Sequence, residues 1–294
     1  MKKLVFEGSA TAIITPFKNN TVDFESLGNM IEFQINNKTD AIVICGTTGE
    51  ASTLTDEEHR ECIKFAAEKV AGRIPVIAGT GSNDTDYAID LSKYACDAGA
   101  DAVLLVTPYY NKATPKGLIK SFTAVADVIN KPVILYNVPS RTGCNITLPV
   151  YKELAKHENI VAVKEASGNI SSIAEIAAEL GDNLPIYSGN DDQIVPILSL
   201  GGKGVISVLS NVMPKETHDI CELYFKGKVK ESAKIQLELL DLVNALFCEV
   251  NPIPAKTACA LMGMCSDEMR LPLCEMEDNN KARLIAALKK HNLI

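Results

Sequence analysis

Short apolar runs recur along the chain and are continuous rather than alternating with polar positions. They are rich in Val and Ile, which is typical of strands buried on both faces of a parallel sheet. The sequence predicts eight such strands, at residues 10–15, 41–45, 75–79, 102–107, 132–137, 160–165, 185–188 and 204–208.

Helical signals occupy the segments between these runs. Thr55 and Glu58 fit a capping box, and Thr114 followed by Pro115 fits an N-cap with proline in the first turn. Eight strands, each followed by a helix, favour a (β/α)8 TIM barrel, because eight buried parallel strands close without leaving an edge. The competing α/β architecture, a doubly wound open sheet, lacks its glycine-rich signature after the first strand.

The strands stop at about residue 225, and helical patterns follow at residues 228–247, 253–263 and 279–291. The tetrapeptide Asn-Pro-Ile-Pro at 251–254 separates the first helix from the second, because a residue before proline disfavours the helical conformation. We therefore expect a (β/α)8 catalytic barrel at residues 1–224 and a C-terminal helical extension at residues 225–294 that packs on it.

Composition narrows the classes of protein to which this barrel can belong. The longest stretch without a charged residue, 204–214, has 11 residues, whereas a membrane helix needs about 20 apolar ones. The net charge is −8, which repels the phosphates of nucleic acid. Glu7 ends the apolar stretch after Lys2 and Lys3, so we expect no secretion signal in this segment. We expect a cytoplasmic protein that binds neither membrane nor nucleic acid.

The nine cysteines and four histidines are scattered, with no C-x-x-C pair and no H-x-x-x-H spacing. Reduced, buried thiols are the simplest interpretation for a protein of the cytosol. Neither a disulfide nor a metal site is expected, so the chemistry must lie with other residues.

Lys164 is the most informative single residue. Catalytic side chains of a barrel come from the carboxyl ends of its strands, and Lys164 continues the run at residues 160–163 without a break. Burial disfavours the charged form, and a neutral amine can attack a ketone to form a Schiff base. The alternatives are a lysine that extends to solvent or one that pairs with a carboxylate, although the adjacent Glu165 should point to the opposite face.

Hydroxyl groups are predicted close to this lysine. Schiff-base chemistry needs a proton donor and acceptor, and a tyrosine can serve if other hydroxyls relay its proton. Tyr136, Thr47 and Tyr110, all at strand ends, could form such a relay. Taken singly, each is better explained as a buried hydroxyl with a satisfied hydrogen bond. The three together beside a buried lysine are harder to explain in that way.

Two features could bind carboxylates. Arg141 lies in a loop rich in turn formers, where a guanidinium can hold a carboxylate bidentately or simply face solvent. The segment Thr47-Thr48-Gly49 has backbone N–H groups suited to an anion. Structural roles are expected for two other motifs, a tight turn at residues 201–204 and a helix N-terminal charge at residues 191–192.

These residues resemble the pyruvate-dependent class I aldolases of the N-acetylneuraminate lyase superfamily, over essentially the whole chain. Residues 46–50, Gly-Thr-Thr-Gly-Glu, and a tyrosine placed 28 residues before Lys164 mark the superfamily. Within it, Tyr-Asn-Val-Pro-Ser-Arg-Thr-Gly at 136–143 and Thr-Pro-Tyr-Tyr at 107–110 resemble the dihydrodipicolinate synthase family. Arg141 matters most, since that family uses it for an aldehyde's carboxylate and the sialic acid lyases lack it.

The resemblance implies condensation of pyruvate with L-aspartate 4-semialdehyde to give 4-hydroxy-tetrahydrodipicolinate. That reaction is the first committed step of diaminopimelate and lysine biosynthesis. Lys164 would form a Schiff base with pyruvate, whose carboxylate would rest on Thr47 and Thr48. Tyr136 would move protons, linked through Thr47 to Tyr110.

The same resemblance implies how the second substrate and the assembly are arranged. Arg141 would hold the semialdehyde's carboxylate, with help from the backbone near Gly189 and Ile206, and no cofactor or metal would take part. The tyrosine that matches Tyr110 crosses a two-fold interface in this family. We therefore expect at least a dimer, and a tetramer built as a dimer of dimers.

Three alternatives remain open. A sister lyase acting on sialic acid or a keto-deoxy sugar is disfavoured by Arg141. A silent barrel that binds a keto acid as a sensor would not need Lys164, Tyr136, Thr47 and Tyr110 together. A purely structural barrel would have no reason to gather these groups at one rim.

Inhibition by lysine is a property in which this sequence departs from the family's sensitive members. Asn83, Tyr109 and His59 match three of the inhibitor-binding residues. Asp56 replaces a histidine, and Tyr87 replaces the glutamate that meets the inhibitor's ammonium group. Loss of that carboxylate leaves a buried charge unpaired unless the carboxylate of Asp56 reaches it, so we expect weak or absent inhibition.

Overall fold

The computed structural model describes residues 2–294, which form a closed barrel of eight parallel strands. The strands, in chain order β1 to β8, are Gly8–Ala12, Ala41–Ile44, Val76–Gly79, Ala102–Val106, Val133–Asn137, Ile160–Glu165, Ile186–Ser188 and Gly204–Ser207. Each strand pairs with the next along the chain, and β8 pairs with β1, which closes the sheet. The predicted barrel is therefore confirmed.

Strand β1 begins and ends earlier than the sequence predicts. Seven predicted strands agree with the observed ones to within one residue at each end. The strand predicted at residues 10–15 is observed at Gly8–Ala12. The strand starts at Gly8 because it pairs closely with Gly204, where a Cβ would lie 1.8 Å from the Gly8 carbonyl oxygen. Ile13 and Ile14 follow the strand but are fully buried, so the apolar run extends past the ladder.

Eight helices cover the outside of the barrel. They are α1 to α8, at Phe24–Asn36, Asp56–Val70, Thr85–Asp97, Pro115–Asp127, Leu148–Leu154, Ile170–Leu180, Ile194–Ser199 and Pro214–Phe225. The capping box that starts α2 is formed, since Thr55 Oγ1 accepts from the N–H of Glu58 and Glu58 Oε2 accepts from the N–H of Thr55. Thr114 caps α4 by accepting from the N–H of Gly117.

The remaining elements of the barrel are short. They are an antiparallel ribbon of Phe17–Lys18 with Thr21–Val22, one helical turn at Pro139–Thr142, and 3-10 turns at Ala51–Thr53, Gly181–Asn183, Asp191–Gln193 and Leu209–Asn211. The predicted turn at residues 201–204 is present, with the N–H of Gly202 donating to the carbonyl of Ile197 at 3.0 Å. It precedes β8 and therefore lies at the amino-terminal end of the barrel.

The barrel interior is filled by side chains. Buried apolar residues of the strands form the inner layer, among them Val43, Ile77, Leu104, Ile134, Ala162 and Ile206. Phe6, which precedes β1, stacks on Tyr187 of β7 with ring centroids 4.2 Å apart. A larger apolar cluster lies between the strands and the helices. The filled interior leaves space for a site at the carboxyl ends of the strands, where barrels of this type have their active sites.

The tail has four helices where the sequence predicts three. They are α9 to α12, at Val229–Glu238, Leu240–Leu246, Ile253–Leu261 and Asp278–Lys290. The predicted helix at 228–247 is divided because α9 packs on α8 whereas α10 packs on α12, with Leu239 buried at the bend. Among residues 2–294, every helix is too short or too polar to span a lipid bilayer.

Candidate active site

A cavity of about 330 Å³ opens at the carboxyl ends of the strands. Five of the predicted site residues line it, namely Thr48, Tyr136, Arg141, Lys164 and Gly189. A second cavity of about 420 Å³ is bordered by Thr47 and shares Tyr136 and Arg141 with the first. The structure therefore brings six of the eight predicted site residues to one region of the barrel mouth.

Lys164 is one of two buried lysines among residues 2–294, and their surroundings differ. The ammonium group of Lys256 pairs with the carboxylate of Glu50. Lys164 is 6% exposed, borders the first cavity, and has no carboxylate within ion-pair distance in the described chain. It is thus an unpaired amine facing a cavity, which is the arrangement that nucleophilic catalysis by lysine needs.

Tyr136 lies beside Lys164 because β5 and β6 are neighbours and these two residues are opposite each other in the register. Lys164 Nζ lies 4.5 Å from the centroid of the Tyr136 ring. Side chains alternate along a strand, so the next residues, Asn137 and Glu165, point outward. There Asn137 Nδ2 donates to Glu165 Oε1 at 2.8 Å. The expectation that Glu165 does not pair with Lys164 is confirmed.

The loop after β2 presents Thr47 to the second cavity and Thr48 to the first. Its last residue, Glu50, has a left-handed backbone with φ of 53°, and its carboxylate is tied to Lys256 on α11. The loop is therefore anchored at Glu50 to a helix of the tail, which limits how far the two hydroxyls can move.

Asn251 is the site residue that sequence reasoning missed. It is buried and lines the same cavity as Lys164. Its side-chain Nδ2 donates to Thr48 Oγ1 at 3.0 Å, and its backbone carbonyl accepts from Arg141 Nη2 at 3.0 Å. It therefore joins the two groups expected to bind substrate carboxylates. Its one sequence signal is a polar residue before Pro252, which was interpreted only as a helix break.

Arg141 stands on the single helical turn Pro139–Thr142 that follows β5. The turn is attached to the end of β4, because Thr107, which follows that strand, donates from Oγ1 to Thr142 Oγ1 at 2.9 Å. The guanidinium borders both cavities and keeps an exposed side. Arg141 is thus held at the mouth with free donors, rather than lying on a remote surface.

Gly189 and Ile206 are placed differently. The N–H of Gly189 donates to the carbonyl of Glu165 at 2.8 Å, and a Cβ there would lie 2.6 Å from the Cβ of Ala166, so only glycine fits. The side chain of Ile206 is fully buried in the inner layer and borders neither cavity, whereas Val208 borders the first. A role for the backbone of Ile206 stays a prediction.

Tyr110 is not brought to Tyr136 and Thr47 within one chain. Its side chain is 89% exposed and borders neither cavity, although its neighbour Tyr109 borders the second. The predicted hydroxyl relay is therefore incomplete in a single chain. A tyrosine that completes a neighbouring site would have this exposed position.

Asp191 and Asp192 lie in the first turn of the 3-10 helix Asp191–Gln193, where a helix N-terminal charge is predicted, but the carboxylate of Asp191 is engaged elsewhere. Its carboxylate is buried, and Oδ2 accepts from the N–H groups of Val208 and Leu209, both at 3.0 Å. These groups follow β8, so the carboxylate bridges the ends of β7 and β8. Burial raises the pKa of the Asp191 carboxyl group, and the hydrogen bonds it accepts oppose that rise.

One cluster of metal-ligating side chains occurs in residues 2–294, at His218, Asp219 and Glu222 on α8. Lys215 pairs with Asp219 and Lys226 pairs with Glu222, so both carboxylates already have cationic partners. None of the three clustered residues borders either mouth cavity. The cluster therefore has no geometric connection to the candidate active site.

The second cavity contains positions that the sequence matched to an inhibitor site. His59, Tyr87 and Tyr109 border it. The carboxylate of Asp56 is already engaged, because Arg60 Nε donates to Oδ2 at 2.7 Å and the Tyr87 hydroxyl donates to Oδ1 at 2.9 Å. The hydrogen bond from Arg60 contributes most to lowering the pKa of Asp56. Asp56 therefore supplies no free carboxylate in place of the absent glutamate.

Comparison with known proteins agrees with this geometry. The dihydrodipicolinate synthetase family model matches residues 5–291. The 4-hydroxy-tetrahydrodipicolinate synthase of Clostridium tetani is 58% identical over 294 residues, which is 99% of each chain. A dihydrodipicolinate synthase structure from Aquifex aeolicus is similar at a TM-score of 0.97 and 49% identity, over 98% of this chain and 99% of that one.

A second similar structure is that of a complex with a small molecule. It is the chloride-inhibited dihydrodipicolinate synthase from Acinetobacter baumannii complexed with pyruvate, with a TM-score of 0.96 and 42% identity over 98% of this chain and 99% of that one. Family model, relatives and structures all extend over nearly the whole chain. The chain therefore belongs to the dihydrodipicolinate synthetase family.

Proposed function

We propose that Lys164 is the residue through which this chain condenses pyruvate with L-aspartate 4-semialdehyde to give 4-hydroxy-tetrahydrodipicolinate. The activity is that of the family, and curated relatives over 99% of the chain are named for it. It is the first committed step of diaminopimelate and lysine biosynthesis. The observation that supports Lys164 most strongly is its burial without a carboxylate partner at the edge of a cavity.

The first half of the reaction uses pyruvate, which the Acinetobacter relative is described as binding. The neutral Nζ of Lys164 attacks the ketone carbon, and the carbinolamine loses water to leave an iminium ion. Loss of a proton from the methyl group then gives an enamine. Thr47 and Thr48 receive the carboxylate of pyruvate, and the hydroxyl of Tyr136, whose ring lies against Nζ, carries the protons.

The second half joins the aldehyde. The enamine carbon attacks the aldehyde carbon, and the aldehyde oxygen takes a proton and becomes the hydroxyl kept in the product. The amino group of the semialdehyde then attacks the imine carbon, its proton passes to Nζ, and Lys164 leaves as a free amine. Arg141 holds the aldehyde's carboxylate bidentately, and backbone groups near Gly189 and Ile206 assist. An amine and hydroxyls supply this chemistry, so the proposal includes no cofactor and no metal.

The tail belongs to the site under this proposal. Residues 225–294 form a helical extension of the barrel at residues 1–224, and they contribute Asn251 and Lys256 to the mouth. Asn251 reaches both Thr48 and Arg141, so one tail residue connects the pyruvate end of the site with the aldehyde end.

We also propose a homo-oligomer, a tetramer built as a dimer of dimers, in which Tyr110 completes the site of a neighbouring chain. The support is the exposure of a large aromatic side chain next to a mouth residue, Tyr109. A solved relative at 39% identity is described as a monomeric variant, so the family allows other states. The nine free cysteines agree with work in the reducing cytoplasm, which we propose as its compartment.

Borohydride reduction in the presence of pyruvate, followed by peptide mass mapping, tests the proposal. We expect one pyruvate-derived adduct per chain, on Lys164. Lys256 is the matched control, since it is also buried but paired, and it should remain unmodified. In a separate sample, semialdehyde added before the borohydride should consume the unreduced Schiff base and lower the yield of trapped adduct, which distinguishes the synthase from a sister lyase. Modification elsewhere, with Lys164 untouched, would remove Lys164 from the mechanism.

A further inference from the structure

The outward-facing neighbours of Lys164 and Tyr136 form a buried polar group of their own. Lys164 pairs with Tyr136 across β6 and β5, and the next pair in the same register is Glu165 with Asn137. Because side chains alternate, the first pair faces the barrel mouth and the second faces the helices outside. Glu165 is only 2% exposed. A carboxylate thus lies in the barrel wall, one residue from the catalytic lysine.

The carboxylate of Glu165 accepts hydrogen bonds from three directions. Asn137 Nδ2 donates to both oxygens at 2.8 and 3.1 Å, and the hydroxyl of Tyr151 on α5 donates to Oε2 at 3.1 Å. The N–H of Ser167 donates to Oε1 at 3.3 Å. Burial raises the pKa of Glu165, and each of these hydrogen bonds opposes that rise. The group is therefore a satisfied acceptor at the centre of a network.

The network reaches the other parts of the mouth through Asn137. Its Oδ1 accepts from the N–H of Ile146 at 3.1 Å, and its Nδ2 also donates to Asn145 Oδ1 at 2.9 Å. Both partners lie just beyond the turn that carries Arg141. The carbonyl of Glu165 accepts from the N–H of Gly189 at 2.8 Å. Three strand ends and the loop of Arg141 are thus joined from outside the barrel.

A carboxylate is a costly way to fill this position. Burying an ionisable group loses its hydration, and a well-packed apolar side chain would avoid that loss. An apolar side chain cannot accept hydrogen bonds. A carboxylate accepts several at defined angles, and these bonds hold the two strand ends at a set distance and rotation. Catalytic groups need such control, because misplacement by about 1 Å can cost on the order of 100-fold in rate.

We propose that Glu165 is a positioning residue, which sets the relative placement of Lys164 and Tyr136 by fixing the ends of β6 and β5 from the outer face. It does not touch substrate. The proposal rests on the role assigned to Lys164 under the proposed function. It assigns a use to a buried carboxylate and a buried tyrosine, Tyr151, that the reaction itself does not employ.

The test compares Glu165→Leu, Glu165→Gln and Tyr151→Phe with a remote control. Ser232→Ala is that control, since it also removes a buried hydrogen bond, from Ser232 Oγ to the carbonyl of Ile220 at 2.6 Å, between α9 and α8. For each variant, the rate of borohydride-trapped adduct formation with pyruvate, kcat, both KM values and the midpoint of thermal unfolding are measured.

We expect Glu165→Leu to slow adduct formation and kcat by about tenfold or more while the KM for semialdehyde changes little. Glu165→Gln retains an acceptor for Asn137 and should recover most of the rate. Tyr151→Phe, which keeps the carboxylate and loses one donor, should slow the rate by a few fold. Ser232→Ala should lower the unfolding midpoint without changing the rate.

The proposal is overturned if Tyr151→Phe, or Glu165→Leu where it folds, loses stability as Ser232→Ala does but forms the adduct at the wild-type rate. Tyr151→Phe decides the matter even if Glu165→Leu does not fold. Failure of the proposed function gives a different result, because Lys164 would then carry no adduct in the wild-type chain. Labelling of Lys164 at unchanged rates in these variants removes only the role of Glu165.

Discussion

Glu50 and Lys256 form an ion pair that water does not reach, with side-chain exposures of 1% and 0%. Glu50 ends the loop that carries Thr47 and Thr48, and Lys256 lies on α11, so the pair joins the barrel mouth to the tail. The ammonium group also donates to the carbonyl of Glu268 at 3.0 Å and lies 4.2 Å from the centroid of the Phe17 ring. Burial lowers the pKa of Lys256, and the charge of Glu50 opposes that change.

Lys256→Met should destabilise the protein strongly. It leaves the carboxylate of Glu50 buried without a cation, which typically costs about 3–5 kcal/mol. The double variant Glu50→Gln, Lys256→Met removes both charges and should recover most of the free energy of unfolding. Chemical denaturation of both variants measures this. A double variant as unstable as the single one would show that lost packing, rather than an unpaired charge, is responsible.

Lys164→Ala should behave in the opposite way. Lys164 forms no direct ion pair in the described chain, so its removal costs only the longer-range attraction of its charge for the buried Asp191, and the fold should stay intact. Trapping of pyruvate by borohydride should be abolished, because no other amine borders the cavity with the same burial. Circular dichroism and mass spectrometry check the two parts. A reducible adduct at wild-type stoichiometry in this variant contradicts the assignment.

Arg141→Ala should affect the second substrate far more than the first. Loss of a charge-assisted carboxylate contact should cost about 1.5–3 kcal/mol in kcat/KM for the semialdehyde. Adduct formation with pyruvate alone should change much less, and it serves as the internal control. Steady-state kinetics together with adduct formation rates give both values. Equal losses for the two substrates would move Arg141 out of the aldehyde site.

Tyr110→Phe should lower kcat. The stability of the single chain should not change, since the side chain is 89% exposed there. The loss follows if its hydroxyl completes the proton relay of a neighbouring site. Mixing this variant with inactive Lys164→Ala chains, under conditions that allow subunit exchange, should restore activity in part, because each chain then supplies what the other lacks. Sedimentation at assay concentration gives the oligomeric state. A fully active monomer would refute both the assembly and the role of Tyr110 in a second chain.

Lysine should inhibit the enzyme weakly or not at all. The carboxylate of Asp56 is occupied by Arg60 and by the hydroxyl of Tyr87, so an incoming ammonium group would have to displace existing partners. Titration of lysine into a coupled assay measures inhibition directly. Tyr87→Glu should strengthen it, since that change adds a carboxylate at the edge of the second cavity. Half-inhibition of the unaltered chain at submillimolar lysine would contradict this expectation.

Parallel strands buried on both faces are predictable from sequence because burial alone makes them continuous apolar runs, and Ile160–Glu165 agrees to the residue. A buried residue need not belong to a strand. Ile13 and Ile14 are buried but lie beyond the end of β1, so the apolar run predicts the wrong bounds for this strand. Lys164 was found because a charge in such a run is conspicuous. Asn251 was not, since its contact with Thr48 spans 203 positions and exists only once the tail has folded onto the mouth.

Arg141 and Lys164 belong to structural units of different kinds, a four-residue helical turn and a strand of the closed sheet. Strands share hydrogen bonds with both neighbours, so the position of the proposed nucleophile is fixed by the closed sheet. The turn Pro139–Thr142 lies outside the ladder and is held by side-chain contacts such as those of Thr142 with Thr107 and of Arg141 with Asn251. Under the roles proposed for these two residues, the strand determines where the carbon–carbon bond forms and the turn determines which aldehyde is admitted, so variants that accept other aldehydes are to be sought in the turn.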